Sequence, residues 1–362
     1  MNKVIKILLL ILLPFGAFGI PTTTDSIESP KKETSKFKPA NFIFEHIQDS
    51  FEWHIVTING HKVSIPLPMI LYSKDEGLCV FMSNKFDNDL HIYKSFKLEE
   101  EGKYEGKVVN INKNGEINEA NPLPLNISIT KDVLSILMMS ILLCLVFITV
   151  ANRYKKNPDR APKGIQNLFE PIIIFVRDEI AKPSIGEKKY YRYMPFLLSL
   201  FFFIWFTNLF GIIPIFPGGA NVTGNIAVTM VLALFTFFVV NVSASRNYWK
   251  EIVNASGVPW FLKIPIPIMP LVEFTGIFTK PFVLMIRLFA NMLAGHMVQI
   301  VFMCLIFIFS AIKVWLGYTI APISIVFSVF MSLLELLVAL IQAYVFTLLS
   351  AIYIGMAVSE HH

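Results

Sequence analysis

The chain has 362 residues, 54% of them hydrophobic and only 16% charged, with a net charge of +5; mean hydropathy is +0.60. That balance excludes a nucleic-acid binder, which would concentrate basic residues in a soluble domain, and fits a membrane protein with one soluble portion. Cys79, Cys144 and Cys304 are far apart and show no metal-ligand spacing, so neither a disulfide nor a metal site is expected.

Residues 1–19 run from Lys3 and Lys6 through an apolar stretch to Ala17-Phe18-Gly19, the order of a secretory signal peptide. The alternative is an uncleaved anchor; the short run, interrupted by Pro14, favours cleavage near Gly19. Residues 20–40 are polar and rich in Pro, Ser and Thr, the composition of a flexible linker. Residues 41–130 read as a small β-rich extracytoplasmic domain. Two β-prone runs flank Asn59-Gly60, a strong hairpin signal, and a second polar turn at Asn112 to Gly115 predicts another pair of strands. Nothing in its sequence states a function.

Residues 131–362 read as an all-α polytopic membrane domain of about five inserted helices. Val133 to Val150, Pro195 to Pro214 and Ile226 to Val242 are each apolar and long enough to cross the hydrocarbon core. Two longer apolar segments follow, Ile266 to Ile312 and Ala321 to Val358. A helix over the first of these would run about 60 Å, roughly twice the ~30 Å core, so it must tilt, kink near Pro281 or begin outside the lipid. With a short turn around Gly317, the two form an antiparallel hairpin.

Orientation follows from Lys and Arg in short loops. Between the first and second spans stand Arg153, Lys155, Lys156, Arg160, Lys163, Lys188, Lys189 and Arg192; Ile215 to Gly224 carries none. The first loop is therefore expected in the cytoplasm, the second outside with the N-terminal domain, and the C-terminus inside. Within the first loop, NLFEPIIIFVRDEIA has helical apolar spacing and is expected to lie at the interface.

Ionisable groups inside spans are costly and mark function by default. The first long helix carries Glu273, Lys280, Arg287, Asn291 and His296; the second carries Glu335 and Gln342. Glu273, Lys280 and Arg287 repeat every seven residues, so they share a stripe that Asn291 extends, beside the small residues Ala290, Ala294 and Gly295. His296 lies about 13 Å beyond Arg287 along the helix. If Gln342 is level with Arg287 in an antiparallel pair, Glu335 falls at the depth of His296, and Glu273 is displaced to the other side.

A His and a Glu at one depth can relay protons, because burial and mutual charge move both pKa values. Arg cannot deprotonate and acts as a fixed barrier. The competing readings are structural: Lys280 can snorkel to the interface, Glu273 can be interfacial, and His296 with Glu335 can be a static pair.

RLFANMLAGH, Arg287 to His296, resembles subunit a of the F-type ATP synthases. The resemblance extends through PLVEFTGIFTKPFVLMI upstream and LELLVALIQAYVFTLLSAIYIGMA downstream, with TNLFGIIP and VRDEIA as further blocks, and covers the chain from about Asp132 onward. It implies that Arg287 faces the carboxylate of a rotating c-ring and blocks direct passage between two half-channels. Asn291 and Gln342 match polar positions beside that arginine. His296, Glu335 and Asn208 match outer half-channel positions, and Glu273 matches a glutamate plausible for the cytoplasmic half-channel.

Many bacterial members place Glu where His296 stands and His where Glu335 stands; here the two are exchanged, as in mitochondrial members. The implied protein is a non-catalytic, proton-translocating stator subunit in a bacterial plasma membrane, without cofactor. Its implied partners are the c-ring, the peripheral-stalk subunit b, other synthase subunits and the lipid bilayer. No GxxxxGK[ST] phosphate loop is present. The rivals are a secondary transporter, for which no repeat of the Arg287 hairpin is found, and a structural scaffold, against which the intramembrane charges count.

Overall fold

The computed structural model describes residues 47–58, 61–74, 76–86, 91–99, 103–104, 106–112, 116–118, 121–156, 162–213, 218–253 and 268–359. The expected signal peptide and linker, the Asn59-Gly60 pair and residues 113–115 of the second turn lie outside them.

Strands β1 (Glu52–Ile58) and β2 (His61–Pro66) pair antiparallel, with Ile58 opposite His61, on either side of the Asn-Gly signal. Strands β3 (Pro68–Ser73) and β4 (Gly77–Met82) form a second hairpin. Gly77 supplies its turn with a φ of 71° that side-chain-bearing residues rarely adopt. Three short strands follow, β5 (Ile92–Tyr93), β6 (Phe96–Leu98) and β7 (Val108–Asn110), and form a sheet in the order β5-β6-β7. The last, β8 (Leu125–Asn126), joins the hairpin to give the order β4-β3-β8.

Alternation builds the β core: Met69, Leu71, Cys79 and Phe81 point inward from β3 and β4 and meet Phe86, Phe96 and Val108. The second polar turn gives less than expected. Ile111 and Ile117 make one isolated antiparallel bridge rather than a strand pair, and the Asn112 N–H donates to the Glu116 carbonyl.

Among the described residues, five helices are long and apolar enough to cross a membrane. They are α1 (Lys131–Lys156), α4 (Tyr190–Ile212), α5 (Ile226–Ser243) and the 45-residue pair α7 (Ile268–Ile312) and α8 (Val314–Val358). Between α1 and α4 lie α2 (Ile165–Phe175), a π-helical turn (Val176–Ala181) and α3 (Lys182–Ile185); α6 (Arg246–Val253) follows α5. The chain is thus an all-α polytopic membrane protein carrying a β-rich N-terminal region.

Two expectations change. The hairpin reverses at Lys313, whose extended backbone (φ −153°, ψ 131°) is the one break between α7 and α8. Gly317 lies inside α8 and serves closure instead: a Cβ there would stand 2.8 Å from that of Ser310. The amphipathic stretch before α4 does more than rest at an interface. Its π-helical turn sends Val176, Ile180 and Ala181 into the main core beside Leu197 and Phe201 of α4 and Ile354 of α8. Its outer side holds Asp178 between Arg177 and Lys182 at 2.9 and 2.7 Å, and those cations keep the Asp178 carboxyl below the usual carboxylate range.

The strands and helices join at Trp53. Its ring is buried with Ala220 and Val222 against Ile65, the first turns of α1 at Leu134 and Met138, and Val228 of α5. At the opposite end of the helices, Gly355 lets α8 meet the Ser184 carbonyl of α3 so closely that an added Cβ would collide with it. Gly355→Ala is therefore expected to lower the thermal midpoint of the solubilised protein. Gly276→Ala in α7 meets nothing within 4 Å and should hold or raise it, since Ala gains about 1 kcal/mol over Gly in a helix. Fluorescence-detected size-exclusion melts of the two variants test this.

Candidate functional site

Helices α7 and α8 pack side by side in one antiparallel register. Phe302 stacks on Phe327 at 5.4 Å, Gln299 Nε2 donates to Ser332 Oγ at 2.8 Å, and the Lys280 ammonium lies 5.6 Å from the centre of the Tyr353 ring. In the same register His296 Nδ1 stands 3.8 Å from Glu335 Oε1. That exceeds a hydrogen bond and is close enough for an ion pair when the imidazole is protonated.

Gly295 makes the approach feasible. A Cβ on it would already touch Glu335 at 3.6 Å, so a larger side chain would take the space of the carboxylate. Glu335 is only 5% exposed, and its Oε2 has no hydrogen-bond partner among the described residues. A buried carboxylate whose second oxygen has no partner among the described residues carries a desolvation cost.

The other predicted residues divide by environment. Arg287, Asn291, Ala290 and Ala294 lie on the exposed side of α7, and Gln342 is buried. By the interhelical register Gln342 falls within one helical turn of the level of Arg287. Among the described residues no carboxylate comes within ion-pair distance of Arg287. The stripe is thus an open strip of one fixed cation among small residues, on the outside of the bundle.

No hydrogen bond among the described residues joins Asn208 to this pair. It is buried on α4, where its Oδ1 accepts from Thr223 Oγ1 at 2.5 Å while its Nδ2 has no described partner. Glu273 lies on α7 about 21 Å from Arg287 by helical rise and is exposed near Tyr248 of α6. Burial and then the Glu273 charge push the Tyr248 phenol up. Lys280 is held over Tyr353 rather than standing alone.

Sequence reasoning missed the serine row of α8. Ser324, Ser328 and Ser332 stand four residues apart, the last of them three residues before Glu335, and line the same side; Ser324 and Ser328 are buried, and Ser328 Oγ has no described partner. With Gln299 they continue the polar surface of His296 and Glu335 toward the hairpin's closed end. The signal was legible, because polar residues four apart in an apolar helix share one face.

Residues 133–355 match the family described as ATP synthase A chain, and residues 42–129 match a domain of unknown function (DUF8433). The "ATP synthase subunit a" of Chloroherpeton thalassium is 46% identical over 242 residues, covering 65% of this chain and 68% of that protein. The "ATP synthase subunit a 2" of Chlorobaculum tepidum is 44% identical over 65% of this chain and 64% of its own length. The "ATP synthase subunit a" of Myxococcus xanthus is 42% identical over 66% and 75%. The chain therefore spans about two thirds to three quarters of the length of these relatives.

The register itself is testable by paired cysteines and a short bifunctional thiol reagent in membranes, with Cys144 and Cys304 replaced. Gln299→Cys with Ser332→Cys, and His296→Cys with Glu335→Cys, are expected to cross-link. Arg287→Cys with Ser332→Cys should not, being about 18 Å out of register. Mass analysis of the cross-linked peptides distinguishes these outcomes.

Proposed function

Since this chain belongs to the ATP synthase A chain family, we propose that it is the proton-translocating stator subunit of an F-type ATP synthase. In this reading it has two half-channels that load and unload the carboxylates of a rotating c-ring. The observation that carries the reading is the buried Glu335, with His296 at 3.8 Å, one turn or more beyond an exposed Arg287 that has no ion-pair partner among the described residues.

Each part has a chemical task. Protons enter from outside along the serine row and the His296–Glu335 pair, with Asn208 as a further polar lining group. They pass to a c-ring carboxylate docked on the open strip of Ala290, Asn291 and Ala294. Arg287 faces that carboxylate, favours its charged form and stays protonated itself, so it separates the two paths. Gln342 lies near the level of Arg287 and keeps a polar surface behind it. Release runs on the cytoplasmic side, where Glu273 is exposed beside Tyr248. Each charge that crosses the potential supplies ~2.3 kcal/mol per 100 mV.

The distribution of Lys and Arg supports a cytoplasmic position for the segment between α1 and α4, with the β-rich region outside and the C-terminus inside. The remaining partners in this reading are the peripheral-stalk subunit b and the other synthase subunits, which carry the nucleotide chemistry. The membrane is that of a bacterial cell.

Two measurements test the proposal. Arg287→Ala is expected to reduce ATP synthesis in membrane vesicles to background and to raise passive proton leak; normal synthesis would contradict the barrier role. His296→Ala and Glu335→Ala should each cut proton flow far more than the amount of assembled subunit. Loss of the subunit from the membrane, with normal flux per assembled complex, would make the pair structural.

A further inference from the structure

The sheet β4-β3-β8 is apolar on both faces. One face is the β core; the other presents Tyr72, Leu78, Val80, Met82, Leu125 and Ile127, all exposed, with Leu78 at 65%, Val80 at 64% and both Leu125 and Ile127 at 60%. The strand register makes these residues one surface. Tyr72 pairs with both Leu78 and Leu125, Ile70 with Val80, and Pro68 with Met82. No charged side chain interrupts it. Contiguous apolar surface of this kind marks an interaction site.

We propose that this sheet face rests on the lipid bilayer, at the membrane surface where α1 enters. The inference depends on the chain being a multi-pass membrane protein and not on the proton path.

Three observations select lipid as the occupant. First, the face runs into the span. Beyond β8, the Ile127 and Ile129 N–H groups still donate to the Ile70 and Pro68 carbonyls of β3, and α1 begins at Lys131. The exposed apolar residues Ile127, Val133, Leu137 and Ile141 therefore follow one another from sheet to membrane helix. Second, the β region is packed onto the outer ends of the spans, because Trp53 and Ile65 share one apolar cluster with Ala220, Val222 and the α1 residues Leu134, Ile136 and Met138. Met138 lies about 10 Å along α1 from its start, as deep as the headgroup layer of ~5–7 Å on each side or deeper.

Third, the geometry permits resting on lipid and forbids insertion. β4 is an edge strand of six residues, and its unpaired backbone groups cannot enter hydrocarbon. A spanning strand needs about 9–11 residues in a closed barrel. An apolar face turned to the interface, with the Tyr72 hydroxyl available to the headgroups, satisfies both limits. The β-rich region is then held twice, by Trp53 on the helices and by this face on the bilayer.

Depth measurements on the full chain in its assembled complex, reconstituted in vesicles, test the proposal. Cys144 is replaced by Ser, while Cys79 and Cys304 are buried. Single Val80→Cys and Leu125→Cys variants carry an environment-sensitive fluorophore, with exposed Lys107→Cys as the aqueous control. Probes at 80 and 125 are expected to shift to the blue, to be quenched by lipids brominated near the headgroup, and to resist a water-soluble quencher; the probe at 107 should do the reverse. Full aqueous quenching at both test positions would overturn the proposal. So would protection from both quenchers, which would assign the face to a second copy or another protein.

Discussion

The packing of α7 on α8 is the constraint on which the rest of the molecule depends. Two helices of 45 residues each are held in one antiparallel register, and a shift of one turn would move every cross-pair by ~5.4 Å. Small residues keep the helices close at two levels of the contact, with Gly317 against Ser310 near the reversal and Gly295 against Glu335 farther along. Farther along α8, Gly355 seats the same helix on α3. Uniformly apolar helices in lipid have little hydrophobic reason to prefer one register. Close approach at glycine and the Gln299–Ser332 bond supply that preference.

That register sorts the polar groups into two environments. Glu335, Gln342, Ser324 and Ser328 of α8 are buried, while Arg287 and Asn291 face outward. Ionisable groups in a membrane are costly, and the arrangement limits the cost in two ways. Glu335 has His296 at 3.8 Å as an ion-pair partner, whereas the arginine lies on a surface that another charged group can approach. In the proposed function that group is the c-ring carboxylate. In that proposed function, the group that exchanges protons is buried and the one that blocks them is exposed.

Much of this was legible from residue spacing. With Gln342 assumed level with Arg287, helical rise in an antiparallel pair brings Glu335 to within about 3 Å of the depth of His296. The strands β1 and β2 follow from β-branched runs around Asn59-Gly60. Other features were not legible. The reversal at Lys313 carries no turn residue, so Gly317 drew attention although its part is close packing. The π-helical turn at Val176–Ala181 cannot be told from an α-helix by apolar periodicity over six residues. The β3–β4 hairpin, with apolar residues on both faces, reads as a continuous apolar run rather than an alternating strand. Asn208 was singled out through the family pattern; its hydroxyl partner Thr223 arrives from a separate 3₁₀ turn that no local pattern connects to it.

The central claim is that His296 and Glu335 act as one exchangeable pair across the hairpin. The most direct measurement is ATP-driven proton pumping in inverted vesicles carrying His296→Glu, Glu335→His, or both. If either helix can supply either group, the double exchange should pump well above both single variants at equal assembly. A double variant that assembles normally and pumps no better than the singles would contradict the account.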